Sequence, residues 1–276
     1  MNTDAPTVVL IHGMWMTPRS WDNWVDHYAD RGYRAIAPGW PGVEDPEQTR
    51  DDPAALRGLG LRPIVDHYDR IIRELERPPI IVGHSFGGLT TQLLLNRGLG
   101  AAGVVIGTAP PNGIVALPPS TLRAAWPALK NPLNRNGLAG LSPAQFHYRF
   151  TNTLSRQESD AIYREQYIPG TNRAFFDAVL SKTAAGVDWK NPSRAPLLLI
   201  AGAADHISPV SLNRTILKLH RESPAPVELK EYVGRPHYMA GMDGWEELAD
   251  LALNWALEHR REPAAAPPLS SSVPSQ

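Results

Sequence analysis

The chain has 276 residues, 42% of them hydrophobic, which is enough apolar material to bury one large core. Lys and Arg number 27 against 28 Asp and Glu, a formal net charge of -1, so the chain offers no basic face for nucleic acid. It has no cysteine, which excludes disulfides, thiolate metal sites and a cysteine nucleophile, and no apolar run long enough to span a bilayer.

An apolar run at 7 to 11 reads as a buried strand, and His12-Gly13-Met14-Trp15 follows it. Because that strand starts so near Met1, the expectation is a cytoplasmic protein with no room for a signal peptide. Further strands are predicted near 34 to 38, 79 to 83, 103 to 108, 196 to 201 and 227 to 233. Helical patterns lie at 19 to 31, 63 to 76, 88 to 97, 209 to 221 and 244 to 260. This alternation predicts an α/β fold, a doubly wound and mainly parallel sheet of about six strands with helices on both faces. One interval breaks it. The stretch from 111 to 194 is far longer than an ordinary connection and must be an inserted structure. The Pro-, Ala- and Ser-rich tail, 262 to 276, has no periodicity and is expected to be disordered.

The most informative stretch is Gly83-His84-Ser85-Phe86-Gly87, between the apolar run Ile80-Ile81-Val82 and the helical pattern that follows. It reads as strand, sharp turn and helix, with a serine at the tip. Small residues two before and two after that serine let strand and helix pass without collision and lift the hydroxyl above the sheet. A nucleophilic serine needs a base, and the base needs a group that fixes its tautomer. Of the histidines downstream, His220 sits inside a helical pattern and His259 closes the last helix. His237 instead follows a strand and a Gly-Arg-Pro turn, at the carboxyl edge where parallel sheets build their sites. Asp205 is the first carboxylate after the buried strand Pro196 to Ala201, and the end of the strand near 108 offers only Thr108, Ala109 and Pro110. The candidate catalytic residues are therefore Ser85, Asp205 and His237.

That chain order, with His12-Gly13, the Gly83 to Gly88 elbow, Gly202-Ala203-Ala204-Asp205-His206-Ile207-Ser208-Pro209 and Gly234-Arg235-Pro236-His237, resembles the α/β-hydrolase superfamily over about residues 7 to 260. It is similar to the small bacterial esterase-like members. The resemblance implies the α/β-hydrolase fold, here lacking the first two strands because the His-Gly motif begins at residue 12. It implies an oxyanion hole formed by the backbone N–H groups of Met14 and Phe86. It also implies a core of 1–110 and 195–261 and a helical cap, 111–194, inserted before the acid strand. The cap is rich in rings, and with Trp15 its Phe146, Tyr148 and Phe176 are the candidate pocket residues.

The expected activity is hydrolysis of a carboxylic ester, lactone or thioester of a largely apolar small molecule, with no cofactor, no metal, no nucleic-acid partner and no membrane. The oligomeric state is left open. A same-fold haloperoxidase, perhydrolase or lyase is the alternative, and a non-catalytic ligand-binding protein a further one. Ser85 stands where an epoxide hydrolase or dehalogenase needs aspartate, and Tyr238 where plant hydroxynitrile lyases carry lysine.

Overall fold

A computed structural model describes residues 5–114, 119–129 and 131–261; the predicted disordered tail, 262 to 276, lies outside them. In chain order the strands are β1 (Val8–Ile11), β2 (Ala35–Ile36), β3 (Ile80–His84), β4 (Ala102–Ile106), β5 (Leu138–Ala139), β6 (Gly170–Thr171), β7 (Leu197–Gly202) and β8 (Val227–Tyr232). The helices are α1 (Asp22–Asp30), α2 (Pro46–Asp51), α3 (Leu61–Arg73), α4 (Phe86–Asn96), α5 (Pro119–Leu129), α6 (Pro143–Phe150), α7 (Arg156–Gln166), α8 (Asn172–Leu180), α9 (Lys182–Ala185), α10 (Val210–His220) and α11 (Trp245–His259).

Six strands form one sheet in the order β2-β1-β3-β4-β7-β8, every neighbouring pair parallel. Parallel strands buried on both faces need continuous apolar runs, and β1, β3, β4 and β7 have them. Side chains alternate between two cores. Val8, Leu10, Ile80, Val82, Val104 and Ile200 face a layer built by Trp21, Trp24, Tyr28 and the buried stripe of α11. Val9, Ile11, Ile81, Val105 and Leu199 face the opposite layer, with residues of α3, α4 and α10.

The edges are short or charged. The predicted strand 34 to 38 pairs over only Ala35 and Ile36, while β8 turns Glu228, Lys230 and Glu231 outward, which discourages pairing with another chain. The chain runs from β1 out to β2 and then back past β1 to β3. That reversal makes the gap between the carboxyl ends of β1 and β3 a topological switch point, the usual place for a site in an open α/β sheet.

Between β4 and β7 the chain departs from the alternation, as its length requires. This stretch contains α5 to α9 and also a small antiparallel ribbon, β5 with β6, so it is not wholly helical. Capping boxes at Ser142 with Gln145 and at Ser155 with Glu158 start α6 and α7. Phe146 stacks on Phe150 with centroids 4.8 Å apart and meets Tyr163 edge-on, which gives the segment apolar packing of its own.

Trp24 ties the first helix to the loop that carries His237. It is fully buried, meets Trp21 and Tyr28 edge-on, and donates its indole N–H to the Ala240 carbonyl at 2.8 Å. Trp24→Ala should therefore lower the unfolding free energy by about 3–5 kcal/mol. Urea denaturation checks this, and Trp24→Phe, which keeps most of the ring, should lose clearly less.

Candidate active site

The turn between β3 and α4 places Ser85 at φ 56° and ψ -117°, a positive-φ conformation that an L-residue holds only under constraint. Its amide donates to the Ile106 carbonyl at 3.0 Å, and its carbonyl accepts from the amides of Leu89 and Ala109. The helix crosses the strand so closely that a Cβ on Gly87 would lie 2.0 Å from the Ile11 carbonyl oxygen. Phe86 begins α4, so its N–H belongs to the helix N-terminus and has no intrahelical partner.

Asp205, in the loop after β7, and His237, in the loop after β8, meet at 2.7 Å through Oδ2 and Nδ1, both side chains fully buried. The other carboxylate oxygen, Oδ1, accepts from the amides of Ile207 and Ser208, each at 2.8 Å. With Nδ1–H donated to Asp205, the lone pair of His237 lies on Nε2, which is buried and has no hydrogen-bond partner among the described residues. The pair fits against the end of β4 because Gly107 is there. At φ +51°, a Cβ on that residue would come within 2.9 Å of Asp205 Oδ2 and 3.2 Å of His237 Nδ1.

Two more histidines hold the surroundings in register. His84 contacts the carbonyl of His237 through Nε2 at 2.8 Å, and the two rings lie 4.6 Å apart. His12 stacks on Trp40, accepts the Trp40 amide at Nε2 and therefore donates Nδ1–H to the Gly13 carbonyl at 2.9 Å. A trans peptide sets the next N–H opposite that carbonyl, so the Met14 amide points away from the His12 ring. Burial lowers His12 to about 4, and burial, with a smaller contribution from the adjacent His237 ring, lowers His84 to about 3. Both rings are neutral near pH 7.

Ser85 opens onto a cavity of about 110 Å³. Trp15, Phe86, Ala109, Phe175, Ala178 and Ile207 form much of its apolar wall. The polar side chains at this wall besides Ser85 are Asn112 and Thr121, and each already donates to a backbone carbonyl, of Val179 and Ile207 respectively. Among the described residues no charged group lines it. Of its lining residues, Gly113 and Val179 are exposed. Trp15, at φ 67°, bridges the core and the inserted segment: its indole donates to the Ala139 carbonyl at 2.7 Å and its own carbonyl accepts from the Ile168 amide.

Of the residues singled out in the sequence, Asp205 and His237 are in direct contact, and Ser85, Phe86 and Trp15 share the cavity. Met14 is fully buried beside Trp15 and does not line it. Phe146, Tyr148 and Phe176, expected at the pocket, are not on its wall. Phe146 is buried among Phe150, Tyr163 and Tyr167, and Tyr148 lies between Arg123 and His206. On α8 it is Phe175, with Ala178 and Val179, that faces the cavity, while Phe176 points elsewhere on the same helix. Phe175 meets Phe86 edge-on at 4.8 Å. Adjacent helix positions differ by about 100°, and the ring content of a helix alone does not say which ring faces the sheet. Among the described residues no cluster of three or more His, Asp or Glu is placed to hold a metal ion, and no helix is long and apolar enough to cross a membrane.

Residues 8–266 match the profile of the alpha/beta hydrolase family. The chain belongs to that family. A search of curated proteins finds no match. Among solved structures the α/β hydrolase is similar to a methylesterase from Arabidopsis, with a TM-score of 0.67, 14% identity and coverage of 92% of this chain and 100% of that one. It is likewise similar to polyneuridine aldehyde esterase, at TM-score 0.65, 15% identity and coverage of 92% and 100%. A monoacylglycerol lipase from Paleococcus ferrophilus superposes at TM-score 0.65 and 22% identity, covering 92% of this chain and 94% of its own. At these identities the likeness is one of fold.

The buried histidines of this hydrolase carry a pH dependence of known sign. His12, His84 and His220 have folded values near 4, 3 and 3, below the ordinary 6.5, burial being the first cause in each. The unfolded chain therefore binds more protons than the native one in the window between 6.5 and those values. Their stabilisation is complete above about pH 6.5 and is lost as pH falls toward 3, by about 1.4 kcal/mol per pH unit for each ring. Urea unfolding measured from pH 6 to 4.5 should show this slope, and His84→Gln should reduce it by about one proton's worth. An unchanged slope in that variant would contradict a neutral His84.

Proposed function

We propose that this protein is a serine hydrolase that cleaves a carboxylic ester, lactone or thioester of a neutral, largely apolar small molecule. Ser85 Oγ attacks the carbonyl carbon while His237 Nε2 takes its proton, and Asp205 holds the ring's tautomer and stabilises the imidazolium. The tetrahedral oxyanion is met by the amides of Phe86 and Met14, the first strengthened by the positive end of α4. The imidazolium then returns the proton to the leaving group, and water, activated by the same nitrogen, releases the acyl group from Ser85. Residues 111–194 act as the cap, and their α8 supplies Phe175 and Ala178 to the acyl side of the pocket.

One observation carries this reading. Among the described residues a fully buried carboxylate–imidazole pair keeps one ring nitrogen without a partner, and Ser85, held in a constrained turn, lines an apolar cavity at the same carboxyl edge of the sheet. Each feature has a cost, and together they make sense as machinery for activating that hydroxyl. The cavity wall supports the substrate class, since burying a charged acyl group against it would leave that charge unpaired. The names of the similar structures, a methylesterase, an esterase and a lipase, agree with ester cleavage.

A fluorophosphonate should label the protein at one residue, and Ser85→Ala should abolish both labelling and turnover of p-nitrophenyl esters. Among those esters, neutral acyl groups should be hydrolysed much faster than acyl groups of similar size that carry a carboxylate. Labelling of Ser85→Ala, or a preference for the charged esters, would overturn the assignment.

A further inference from the structure

Behind the proposed triad lies a buried hydrogen-bond chain that the mechanism does not use. His220 Nε2 lies 2.9 Å from Gln92 Oε1, Gln92 Nε2 lies 2.8 Å from Thr108 Oγ1, and Thr108 Oγ1 lies 3.0 Å from the Ala109 carbonyl. With the Thr108 hydroxyl donating to the Ala109 carbonyl, the chain has one polarity, which the 3.5 Å approach of Gln92 Nε2 to the Gly88 carbonyl also favours. The Thr108 hydroxyl spends its one proton on the Ala109 carbonyl, so it must accept from the Gln92 amide. The Gln92 carbonyl oxygen therefore faces His220, which must donate. Gln92, Thr108 and His220 are each fully buried.

Thr108 and Ala109 are also where the two halves of the site are attached. The Ala109 amide donates to the carbonyl of Ser85 at 3.0 Å, and the Thr108 carbonyl accepts the Ser208 hydroxyl at 2.5 Å. Ser208 in turn gives its amide to Asp205 Oδ1. The nucleophile's turn and the acid's loop thus hang from one dipeptide. Thr108 is seated tightly against α4, where a Cβ on Gly88 would lie 2.8 Å from its side chain. The acid loop leads into α10, whose last residue, His220, bonds back to Gln92 on α4.

We propose that Gln92, held by His220, is a positioning residue that fixes the Thr108–Ala109 dipeptide and thereby the spacing between Ser85 and the Asp205–His237 pair. The proposal rests on the triad reading given above. Gln92 touches neither substrate nor the reacting atoms; its effect reaches them through Thr108. Misplacing a catalytic group by about 1 Å costs on the order of 100-fold in rate, so slack at this dipeptide should be visible in turnover.

The test is a double-mutant cycle of Gln92→Met, close in shape but without the amide, with Asp205→Asn, read on the best p-nitrophenyl ester. In the native background Gln92→Met should lower kcat by about 10- to 100-fold with KM within roughly two-fold. The acidic limb of its pH–rate profile should move to lower pH, because a loosened carboxylate favours the imidazolium less. With Asp205→Asn already present, the same change should cost little more. An equal loss in both backgrounds, or an unmoved pH profile, would assign Gln92 to general stability and overturn the proposal. If Asp205→Asn is impaired while Gln92→Met is fully active, the proposal alone fails. Full activity of Asp205→Asn would instead overturn the acid assignment, and the positioning role with it. Should Gln92→Met fail to fold, His220→Phe, which removes the donor to Gln92 from the far end, gives the same comparison.

Discussion

The structure depends on keeping Ser85 in a backbone conformation it would not choose. At φ 56° and ψ -117° the residue is strained by about 1–3 kcal/mol, and that conformation persists only because its surroundings leave no other. The amide is tied to β4, the carbonyl to Ala109 and to the first turn of α4, and the helix lies against the end of β1 with no space for a side chain at Gly87. The sheet order brings β1 and β3 together, the glycines allow the crossing, and the crossing exposes the hydroxyl. A change anywhere in this sequence of dependencies acts on the same atom.

Burial gives the site its second character. His12, His84 and His237 are packed into one apolar region, yet each has a backbone or carboxylate partner that defines its tautomer. Two of them are pushed so far from protonation that they act as fixed dipoles. The Asp205 carboxylate supplies the negative charge in this cluster and is balanced by two loop amides and the imidazole N–H. In a medium of low polarisability these few groups interact more strongly than they would in water, and their arrangement need not reorganise when charge develops.

Much of this was legible in the chain. The inner strands of the sheet follow from apolar runs and β8 from its alternation, and the serine turn follows from its glycines. Asp205 and His237 follow from being the polar groups just past strand ends. What escaped were properties of orientation. Phe176 and Phe175 are equivalent in composition, and only the rotation of α8 selects the second for the cavity. Gln92 looks like one more residue of an apolar helix, and His220 like one more position of a helical pattern. Their bond spans a gap of 128 residues and has no local signature. The short ribbon of β5 and β6 could not be read either, since two-residue strands leave no periodicity.

Trp15 has a consequence for traffic through the molecule. Its ring forms part of the cavity floor, while its indole and its carbonyl are both bonded to the segment between β4 and β7. Swinging that segment outward as a rigid flap would break these bonds and pull on the residue next to Gly13 and Met14, so a wide opening would dismantle the floor it was meant to uncover. Access to Ser85 is thus coupled to the same bonds that hold Trp15 in the cavity wall.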